Sequence, residues 1–442
     1  MGDLFGTDGV RGEYGRDLTT DLARSLGRAA VAVLARDRHH VPSFVIGRDT
    51  RVSGAVLEDA LVEGIVSAGG DAVRAGVVPT PAVAFFTIEL GVDSGVVISA
   101  SHNPPEDNGI KFFGFRGFKL PDRLEDEMET EIASSAASNG LTGRELPMPS
   151  DPSSYLDHVV SAAEARLDGM RVVVDCGNGA ASEFAPAALR RLGADVVAIN
   201  ADADGSKINI VSGALYPEVV AEAVAAEGAD AGVAFDGDAD RALFGDADGE
   251  VIDGDQVLAA CAVAMREDGS LTGDTVVATV MSNLGFHRSM REHGIRVISA
   301  PVGDRYVLEQ MLEHDVALGG EQSGHVIFRD EATTGDGLIT AVRFLSLAAR
   351  RGVPVKELAS VMRRFPQVLI NVPVGNKERL EGADEIWRAV REREATLNGS
   401  GRVLVRASGT EPLVRVMVEA ESEEIAREQA DAVAGLVSEV LA

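Results

Sequence analysis

Three stretches of the chain share one order of predicted elements, and this repeat restricts the folds that the 442 residues can adopt. Each stretch opens with an apolar strand, continues through a polar loop into a helix that ends at glycine, and resumes with a second apolar strand. The opening strands begin near Phe44, Arg171 and Thr275, and the glycines are Gly69, Gly193 and Gly294. Glycine commonly follows the last turn of a helix because it adopts positive φ without strain. The order predicts parallel strand–helix–strand units, and therefore three related α/β domains.

A later buried strand in each stretch ends in a group of polar residues. The three groups are Ser99-Ala-Ser-His-Asn-Pro104, Asp236-Gly-Asp-Ala-Asp-Arg241 and Glu321-Gln-Ser-Gly-His325. In open α/β sheets, ligands bind outside the carboxyl ends of the strands. We therefore expect the three polar groups to face a common cleft.

The C-terminal residues follow a different pattern, with shorter connections. Helices are predicted from about Asp384 to Glu394 and from Glu423 to Leu441, among three strands, which favours antiparallel pairing and an α+β domain. The chain is too long for one hydrophobic core. The predicted fold class is α/β with four domains around a central cleft, three related α/β units with mixed or parallel sheets and a C-terminal α+β domain. The predicted domains span residues 1–150, 151–254, 255–367 and 368–442.

The composition excludes several classes of function. A net charge of −29 argues against a general basic surface for nucleic acid, and an anionic substrate would need local clusters of arginine and lysine. No apolar run approaches the ~20 residues of a membrane span, and the first residues lack the basic and apolar regions of a signal peptide. Cys176 and Cys261, the two cysteines, lack metal-binding spacing and suit a reducing compartment. We expect a cytoplasmic protein that acts on a small molecule, with neither nucleic acid nor membrane as a partner.

Three carboxylates alternate along the second polar group, directly after an apolar strand. If the backbone stays extended, the side chains of Asp236, Asp238 and Asp240 fall on one side, where their mutual repulsion requires a cation. Oxygen ligands favour Mg²⁺ or Ca²⁺, and an EF-hand is excluded because Arg241 stands where its loop requires glycine. The alternative is a solvated acidic turn, which suits the nearby residues 246–250 better.

Two other polar groups offer a nucleophile and proton-transfer groups. Ser101 is a candidate nucleophile in a loop rich in turn-forming residues, although an ordinary serine in a solvated turn is the alternative. The segment from Glu321 to His325 suits sugar hydroxyls and proton transfer, and His325 could equally be a structural histidine.

Two glycine-containing loops are candidate phosphate sites. The loop from Arg406 to Arg415 offers hydroxyls, backbone N–H groups and guanidinium groups, although a plain hairpin turn fits equally. The loop near the N-terminus presents Thr7 and Arg11 in a similar way. Together with a nucleophile and a hard-metal site, these loops favour metal-assisted phosphoryl transfer to or from a sugar phosphate. A kinase is disfavoured because the chain has neither a P-loop nor a kinase glycine loop, whereas phosphatase and mutase stay open.

At these motifs the chain resembles the α-D-phosphohexomutase superfamily along essentially its whole length. The motifs, in order, are Phe5-Gly-Thr-Asp-Gly-Val-Arg-Gly12, Ser99-Ala-Ser-His-Asn-Pro104, Asp236-Gly-Asp-Ala-Asp-Arg241, Glu321-Gln-Ser-Gly-His325 and Arg406-Ala-Ser-Gly-Thr-Glu-Pro412. The resemblance implies four domains around a deep cleft and a phosphoserine at Ser101 rather than at Ser99. It also implies that Mg²⁺ is held by Asp236, Asp238, Asp240 and a phosphoryl oxygen on Ser101.

The resemblance implies roles for further residues. Proton transfer or charge stabilisation, with acid and base unassigned, is implied for Arg11, His102, Lys111, Arg241 and His325. Binding of sugar hydroxyls is implied for Glu321 and Ser323. Binding of the non-reacting phosphate is implied for Arg406, Ser408, Gly409, Thr410 and Arg415. Ala407 stands where many members have proline, which leaves the phosphate donors intact.

Two short patterns imply the substrate. Gly-Glu-Gln-Ser-Gly-His at residues 320–325 and Gly-Thr-Asp-Gly at residues 6–9 are similar to the amino-sugar members of the superfamily. That similarity implies interconversion of glucosamine 6-phosphate and glucosamine 1-phosphate through a bisphosphate, which supplies UDP-N-acetylglucosamine and cell-wall precursors. The alternatives are a glucose- or mannose-phosphate mutase, a metal-dependent phosphatase with Asp236 as nucleophile, and a non-catalytic sugar-phosphate sensor. A homodimer is also left open.

Overall fold

The computed structural model describes residues 4–6, 8–36, 40–134, 142–149, 151, 153–408 and 412–441. These residues form two compact units. The first comprises the described residues up to Met281 together with Gly294–Val361, and the second comprises Ser282–His293 with the described residues from Met362 onward. None of the helices that these residues form is long and apolar enough to cross a membrane.

The first sheet has six strands in the order β1-β5-β4-β2-β3-β6. The strands are β1 (Val10–Glu13), β2 (Ser43–Arg48), β3 (Asp71–Val77), β4 (Ser94–Ile98), β5 (Asp107–Gly114) and β6 (Glu145–Leu146). The helices are α1 (Thr20–Ala35), α2 (Gly54–Ser67), α3 (Thr80–Glu89) and α4 (Asp122–Ser134). Strand β2 pairs in parallel with β3 and β4, and β5 runs antiparallel to β4. Phe44 and Ile46 of β2 are fully buried in one core with Leu26 of α1 and Leu61 of α2.

The second sheet has five strands in the order β11-β10-β9-β7-β8. The strands are β7 (Arg171–Asp175), β8 (Asp195–Ile199), β9 (Ala231–Phe235), β10 (Ala242–Asp246) and β11 (Val251–Ile252). The helices are α5 (Ser153–Ser161), α6 (Ala181–Arg191) and α7 (Pro217–Glu227). Strand β7 pairs in parallel with β8 and β9, and β10 runs antiparallel to β9. Val173 of β7 packs in a buried cluster with Val220 and Val224 of α7.

The third sheet has four strands in the order β13-β12-β14-β15. The strands are β12 (Thr275–Thr279), β13 (Arg296–Ala300), β14 (Leu318–Gly320) and β15 (Val326–Phe328). The helices in this part of the chain are α8 (Gly254–Glu267), α9 (Leu284–Glu292), α10 (Asp304–Glu313), α11 (Gly337–Arg351) and α12 (Val355–Ala359), of which α9 belongs to the second compact unit. Strand β12 pairs in parallel with β13 and β14, and β15 runs antiparallel to β14.

One strand order recurs in the three sheets and confirms the predicted repeat. It runs β5-β4-β2-β3 in the first sheet, β10-β9-β7-β8 in the second and β15-β14-β12-β13 in the third. The three polar groups occupy the same place in each sheet, the loop that joins the last parallel strand to the antiparallel strand after it. Gly69, Gly193 and Gly294 have φ values of 92°, 99° and 64°, as expected for glycines that end helices.

The C-terminal residues form an antiparallel sheet in the order β16-β18-β17, which confirms the predicted α+β fold. The elements are β16 (Gln367–Pro373), α13 (Asp384–Leu397), β17 (Gly401–Ala407), β18 (Leu413–Ala420) and α14 (Glu423–Val440). Val416 of β18 is fully buried against the apolar face of α14. The helix predicted to end at Glu394 continues to Leu397, because Asn398 closes it in the left-handed conformation with φ 47°.

Candidate active site

The loop between β4 and β5 holds the hydroxyl of Ser101 in a buried position. The Ser101 N–H donates to Ser99 Oγ at 2.8 Å, and Ser99 Oγ donates to Asp49 Oδ2 at 2.6 Å. The Ser101 hydroxyl instead donates to Asp236 Oδ2 at 2.7 Å. The Ser99 side chain therefore holds its own loop, whereas the Ser101 side chain faces the acidic residues after β9.

Asp236, Asp238 and Asp240, called the acidic triad below, lie within reach of one common ion. All three are buried, and one carboxylate oxygen from each lies within 4.8 Å of the others. The expected extended backbone is wrong: Ala239 has φ 58°, and its N–H donates to the Asp236 carbonyl at 3.0 Å. A tight turn rather than strand alternation brings the carboxylates together. Among the described residues, Oδ1 of Asp238 and Oδ1 of Asp240 are buried without a hydrogen-bond partner.

The electrostatics of the acidic triad also favour a cation. Burial and the charges of Asp240 and Asp238 raise the pKa of Asp236 well above its usual range, and burial and Asp238 raise the pKa of Asp240. Burial opposes ionisation of Asp238 as well, but Lys111 and the Thr80 hydroxyl lower its pKa to about 2. Lys111 Nζ lies 3.2 Å from Asp238 Oδ2. Three buried carboxylates that repel one another are the donor set of a hard divalent ion.

Asp8 joins three cations beside the acidic triad. It pairs with Arg11, and its oxygens lie 3.0 Å from Lys119 Nζ and 3.9 Å from Lys111 Nζ. Burial opposes its charge, but the three cations hold the pKa of Asp8 well below its usual range. Thr7, predicted to face phosphate, lies outside the described residues. The three cations outnumber Asp8, so the cluster places positive charge beside the acidic triad, where it can attract an anion.

His102 and Arg241 complete the surroundings of Ser101. His102 Nδ1 lies 3.3 Å from Ser101 Oγ, and burial together with Arg241 and Arg11 lowers the pKa of His102 to about 4. The Arg241 N–H donates to Asp236 Oδ1 at 3.2 Å, and Arg241 Nε lies 3.8 Å from Asp240 Oδ1. His102 is therefore neutral at pH 7, and Arg241 adds a fixed charge next to the acidic triad.

The loop between β14 and β15 presents three buried polar side-chain atoms. Ser323 Oγ and both ring nitrogens of His325 are buried and have no hydrogen-bond partner among the described residues. The Gly303 N–H donates to Glu321 Oε1 at 3.0 Å. His325 lines a cavity of about 200 Å³ together with Asp8, Lys111 and Lys119. His325 therefore shares a cavity with Lys111 and Lys119, and Ser323 and His325 can hydrogen-bond to a hydroxylated ligand.

The loop between β17 and β18 lies in the second compact unit and collects positive charge. Arg406 and Arg415 are directly opposite each other on the two strands, and burial together with Arg415 lowers the pKa of Arg406. Lys377 Nζ donates to the Ser408 carbonyl at 2.7 Å. Gly409 and Thr410 lie outside the described residues. Like charges opposite each other are destabilising unless an anion binds between them, so the loop suits a phosphate.

Several residues around Ser101 and the acidic triad are outside the set predicted from the sequence. Thr80 contacts Asp238, Asp49 contacts Ser99, and Arg51 and Asn209 contact the backbone of the Ser101 loop. Asp49 and Arg51 follow β2 at the same sheet edge as the predicted loops, and that position could have identified them. No comparable sequence pattern indicates that Thr80 or Asn209 would lie at this site.

Comparison with known proteins identifies the family. Models of the phosphoglucomutase/phosphomannomutase family match four consecutive segments: alpha/beta/alpha domain I at residues 2–139, domain II at 153–249, domain III at 253–365 and the C-terminal domain at 369–436. The chain is 50% identical to the phosphoglucosamine mutase of Parafrankia sp. (strain EAN1pec), with all of both chains covered. It is 51% identical to that of Frankia alni, over 100% of this chain and 99% of the relative.

Comparison with solved structures also supports membership of this family. A phosphoglucomutase/phosphomannomutase family protein from Burkholderia thailandensis superposes with a TM-score of 0.82 at 28% identity, over 99% of this chain and 97% of that chain. The fold is also similar to that of Aspergillus fumigatus N-acetylphosphoglucosamine mutase in complex with GlcNAc-6P and magnesium, with a TM-score of 0.66 at 17% identity over 99% and 96% of the chains. The resemblance seen in the five motifs is thus confirmed, and the chain belongs to the phosphoglucomutase/phosphomannomutase family, in the α-D-phosphohexomutase superfamily, as an enzyme of the mutase class.

Proposed function

We propose that the enzyme interconverts glucosamine 6-phosphate and glucosamine 1-phosphate through a phosphorylated Ser101 and a glucosamine 1,6-bisphosphate intermediate. The observation that carries the proposal is the Ser101 hydroxyl, which lies 2.7 Å from Asp236 Oδ2 in a loop that Arg11 contacts at the Ala100 carbonyl. The full-length relatives at about half identity that carry the name phosphoglucosamine mutase support the amino-sugar substrate. The product would feed UDP-N-acetylglucosamine and cell-wall precursors.

Mg²⁺ is the proposed cofactor, because the donor set suits it. Asp236, Asp238 and Asp240 offer oxygen ligands only, and two of these oxygens are buried without a partner among the described residues. The acidic triad would hold the ion together with a phosphoryl oxygen on Ser101. When bound, Mg²⁺ neutralises charge on the transferring phosphoryl group.

The surrounding side chains fit the two halves of the reaction. In the first, a sugar hydroxyl attacks the phosphoryl group on Ser101, the Oγ–P bond breaks, and the hydroxyl proton is lost. His325, whose ring nitrogens are unpartnered among the described residues, is placed to take that proton. The departing Ser101 oxygen takes up a proton, and the neutral His102, with Nδ1 3.3 Å from Ser101 Oγ, is placed to hydrogen-bond to the resulting hydroxyl. Fixed positive charge for the transferring group comes from Arg11, Lys111 and Arg241.

In the second half, the bisphosphate turns around and returns its other phosphoryl group to Ser101. Glu321 and Ser323 are proposed to bind sugar hydroxyls in both orientations. The non-reacting phosphate is proposed to bind Arg406, Ser408, Gly409, Thr410 and Arg415. The paired charges of Arg406 and Arg415 support that role.

The domain limits, the cellular location and the oligomeric state are also proposals. We propose the domain limits 1–150, 151–254, 255–367 and 368–442. A cytoplasmic location is supported by the buried free thiols of Cys176 and Cys261. A homodimer is an open alternative to a monomer.

A glucose- or mannose-phosphate mutase on the same scaffold is the nearest rival to the proposed activity. The phosphatase alternative is disfavoured because both oxygens of Asp236 accept hydrogen bonds, from Ser101 and from the Arg241 backbone.

Intact-mass measurement tests the proposal. Phosphatase-treated protein incubated with glucosamine 1,6-bisphosphate should gain one phosphoryl group, which peptide mapping should locate on Ser101. The Ser101→Ala variant should take up none and should lose nearly all turnover. Wild-type turnover by Ser101→Ala, or an unlabelled wild-type protein, would exclude the mechanism. Comparing turnover of the glucosamine, glucose and mannose phosphates separates the amino-sugar mutase from its rival.

A further inference from the structure

The buried guanidinium group of Arg51 donates hydrogen bonds to the backbone of the Ser101 loop. The Arg51 side chain is fully buried, and Nε donates to Asp49 Oδ2 at 2.9 Å. The donors on its terminal nitrogens reach four carbonyls, those of Ser101 at 3.0 Å, Asn103 at 2.7 Å, Asp107 at 2.9 Å and Pro104. All five N–H donors of Arg51 thus have an acceptor, which a buried guanidinium group requires.

The side chain of Asn209, which lies between β8 and α7, also donates to the backbone of the Ser101 loop. Asn209 Nδ2 donates to the Ser101 carbonyl at 2.8 Å and to the Asn103 carbonyl at 3.1 Å. Asn209 itself has φ 59°, and its N–H donates to the Gly177 carbonyl at 3.0 Å. Two carbonyls of the loop therefore receive donors from two α/β units.

Ser101 itself has a strained backbone conformation, and the hydrogen bonds from Arg51 and Asn209 hold it in place. Ser101 has φ 50°, a left-handed conformation that is strained for a non-glycine residue and persists only where its surroundings enforce it. Its N–H is fixed by Ser99, and its carbonyl by Arg51 and Asn209. A Cβ on Gly237 would lie 2.6 Å from that carbonyl oxygen, so the acidic triad's own turn packs against the held backbone.

We propose that Arg51 and Asn209 are positioning residues for phosphoryl transfer. By holding the Ser101 and Asn103 carbonyls, they keep Ser101 left-handed, so that Oγ faces Asp236 rather than away from it. The inference rests on the proposed function, because it takes Ser101 as the phosphoryl carrier. Since both side chains act on the backbone of the loop, their loss should lower kcat and leave KM nearly unchanged. Misplacing a reacting atom by 1 Å can cost about 100-fold in rate.

Asn209→Asp tests the inference with a side chain of the same shape that cannot donate to the carbonyls. We expect kcat and the rate of Ser101 phosphorylation by glucosamine 1,6-bisphosphate to fall about 10- to 100-fold, with KM within about twofold. Asn398→Asp is the matched control, because Asn398 also has a left-handed backbone, φ 47°, but ends α13 in the second compact unit. It should behave as wild type. Thermal unfolding verifies that both variants are folded.

Arg51→Ala adds a test by chemical rescue. If the variant folds, millimolar guanidinium should restore part of the phosphorylation rate, whereas methylammonium should not, because only guanidinium offers the fork of donors. If it does not fold, Asn209→Asp alone decides. A folded Asn209→Asp enzyme with wild-type kcat and phosphorylation rate would overturn the inference. A wild-type enzyme that takes up no phosphate on Ser101 would instead overturn the proposed function.

Discussion

Thr80 contacts Asp238 twice, through its side chain and its backbone. The Thr80 hydroxyl donates to Asp238 Oδ2 at 2.5 Å, and the Thr80 N–H donates to the Asp238 carbonyl at 2.9 Å. Thr80 is the first residue of α3, which belongs to the first α/β unit, whereas Asp238 follows β9 of the second sheet. The start of α3 therefore fixes the position of the Asp238 carboxylate. Hydrogen bonds of this kind orient metal ligands and keep them ionised.

Thr80→Val should therefore weaken Mg²⁺ binding. The change keeps the shape and removes the hydroxyl donor, which raises the pKa of Asp238 and frees its carboxylate to rotate. We expect about 10- to 100-fold weaker Mg²⁺ binding by titration calorimetry, and Thr80→Ser should restore it. Equal Mg²⁺ affinity in Thr80→Val and wild type would show that Thr80 only packs.

Asp240→Asn should separate stability from metal binding. Without a divalent ion, the acidic triad places mutually repelling carboxylates in a buried site, so removing one charge should raise Tm in EDTA. Mg²⁺ at 100 times its Kd should stabilise the wild type by about 2.7 kcal/mol and the variant far less. The measurement is a pair of thermal melts, with EDTA and with Mg²⁺.

Asp248→Asn is the control for that pair, because Asp248 lies in the neighbouring exposed turn and pairs with Lys356. Its Mg²⁺ response should match the wild type. A wild-type protein whose Tm does not respond to Mg²⁺ would remove the support for the metal site.

The parts of this site that could be predicted are those with a local pattern. Strand ends, glycines after helices and clustered carboxylates are visible within a few residues, so the three sheets and their loops were predictable. The turn at Ala239 was not, because alanine rarely adopts φ 58° and only the packing around it enforces that conformation. Arg51 and Asn209 are ordinary residues whose partners lie about 50 and 106 to 108 positions away, and no local pattern reports such contacts.

Arg406→Gln should weaken substrate binding while relieving the repulsion within its own sheet. Arg406 lies directly opposite Arg415 on β17 and β18, and like charges in that arrangement destabilise the sheet. A hydrogen bond to a charged group contributes about 1.5–3 kcal/mol, so KM for glucosamine 6-phosphate should rise about 10- to 100-fold. Steady-state kinetics measure KM, and a melt without substrate should show Tm unchanged or raised. An unchanged KM would place the non-reacting phosphate elsewhere.

Asp336→Asn should change the pH dependence of stability. Asp336 Oδ1 accepts from the Ile339 N–H at 2.9 Å and Oδ2 accepts from the Tyr155 hydroxyl at 2.8 Å. Burial nevertheless raises the pKa of Asp336 to about 6, above the value of about 3.9 in an unfolded chain. The folded state therefore binds more protons between pH ~4 and ~6, and this carboxyl's contribution to stability is lost as the pH rises through that window.

Asparagine cannot ionise, so the free energy of unfolding of Asp336→Asn minus that of the wild type should increase by about 1–3 kcal/mol from pH 4 to pH 7. Urea unfolding of both proteins at several pH values across the window gives that difference, in which the other titrating groups cancel. A pH-independent difference for Asp336→Asn would mean that the carboxyl is ionised in the folded protein despite its burial.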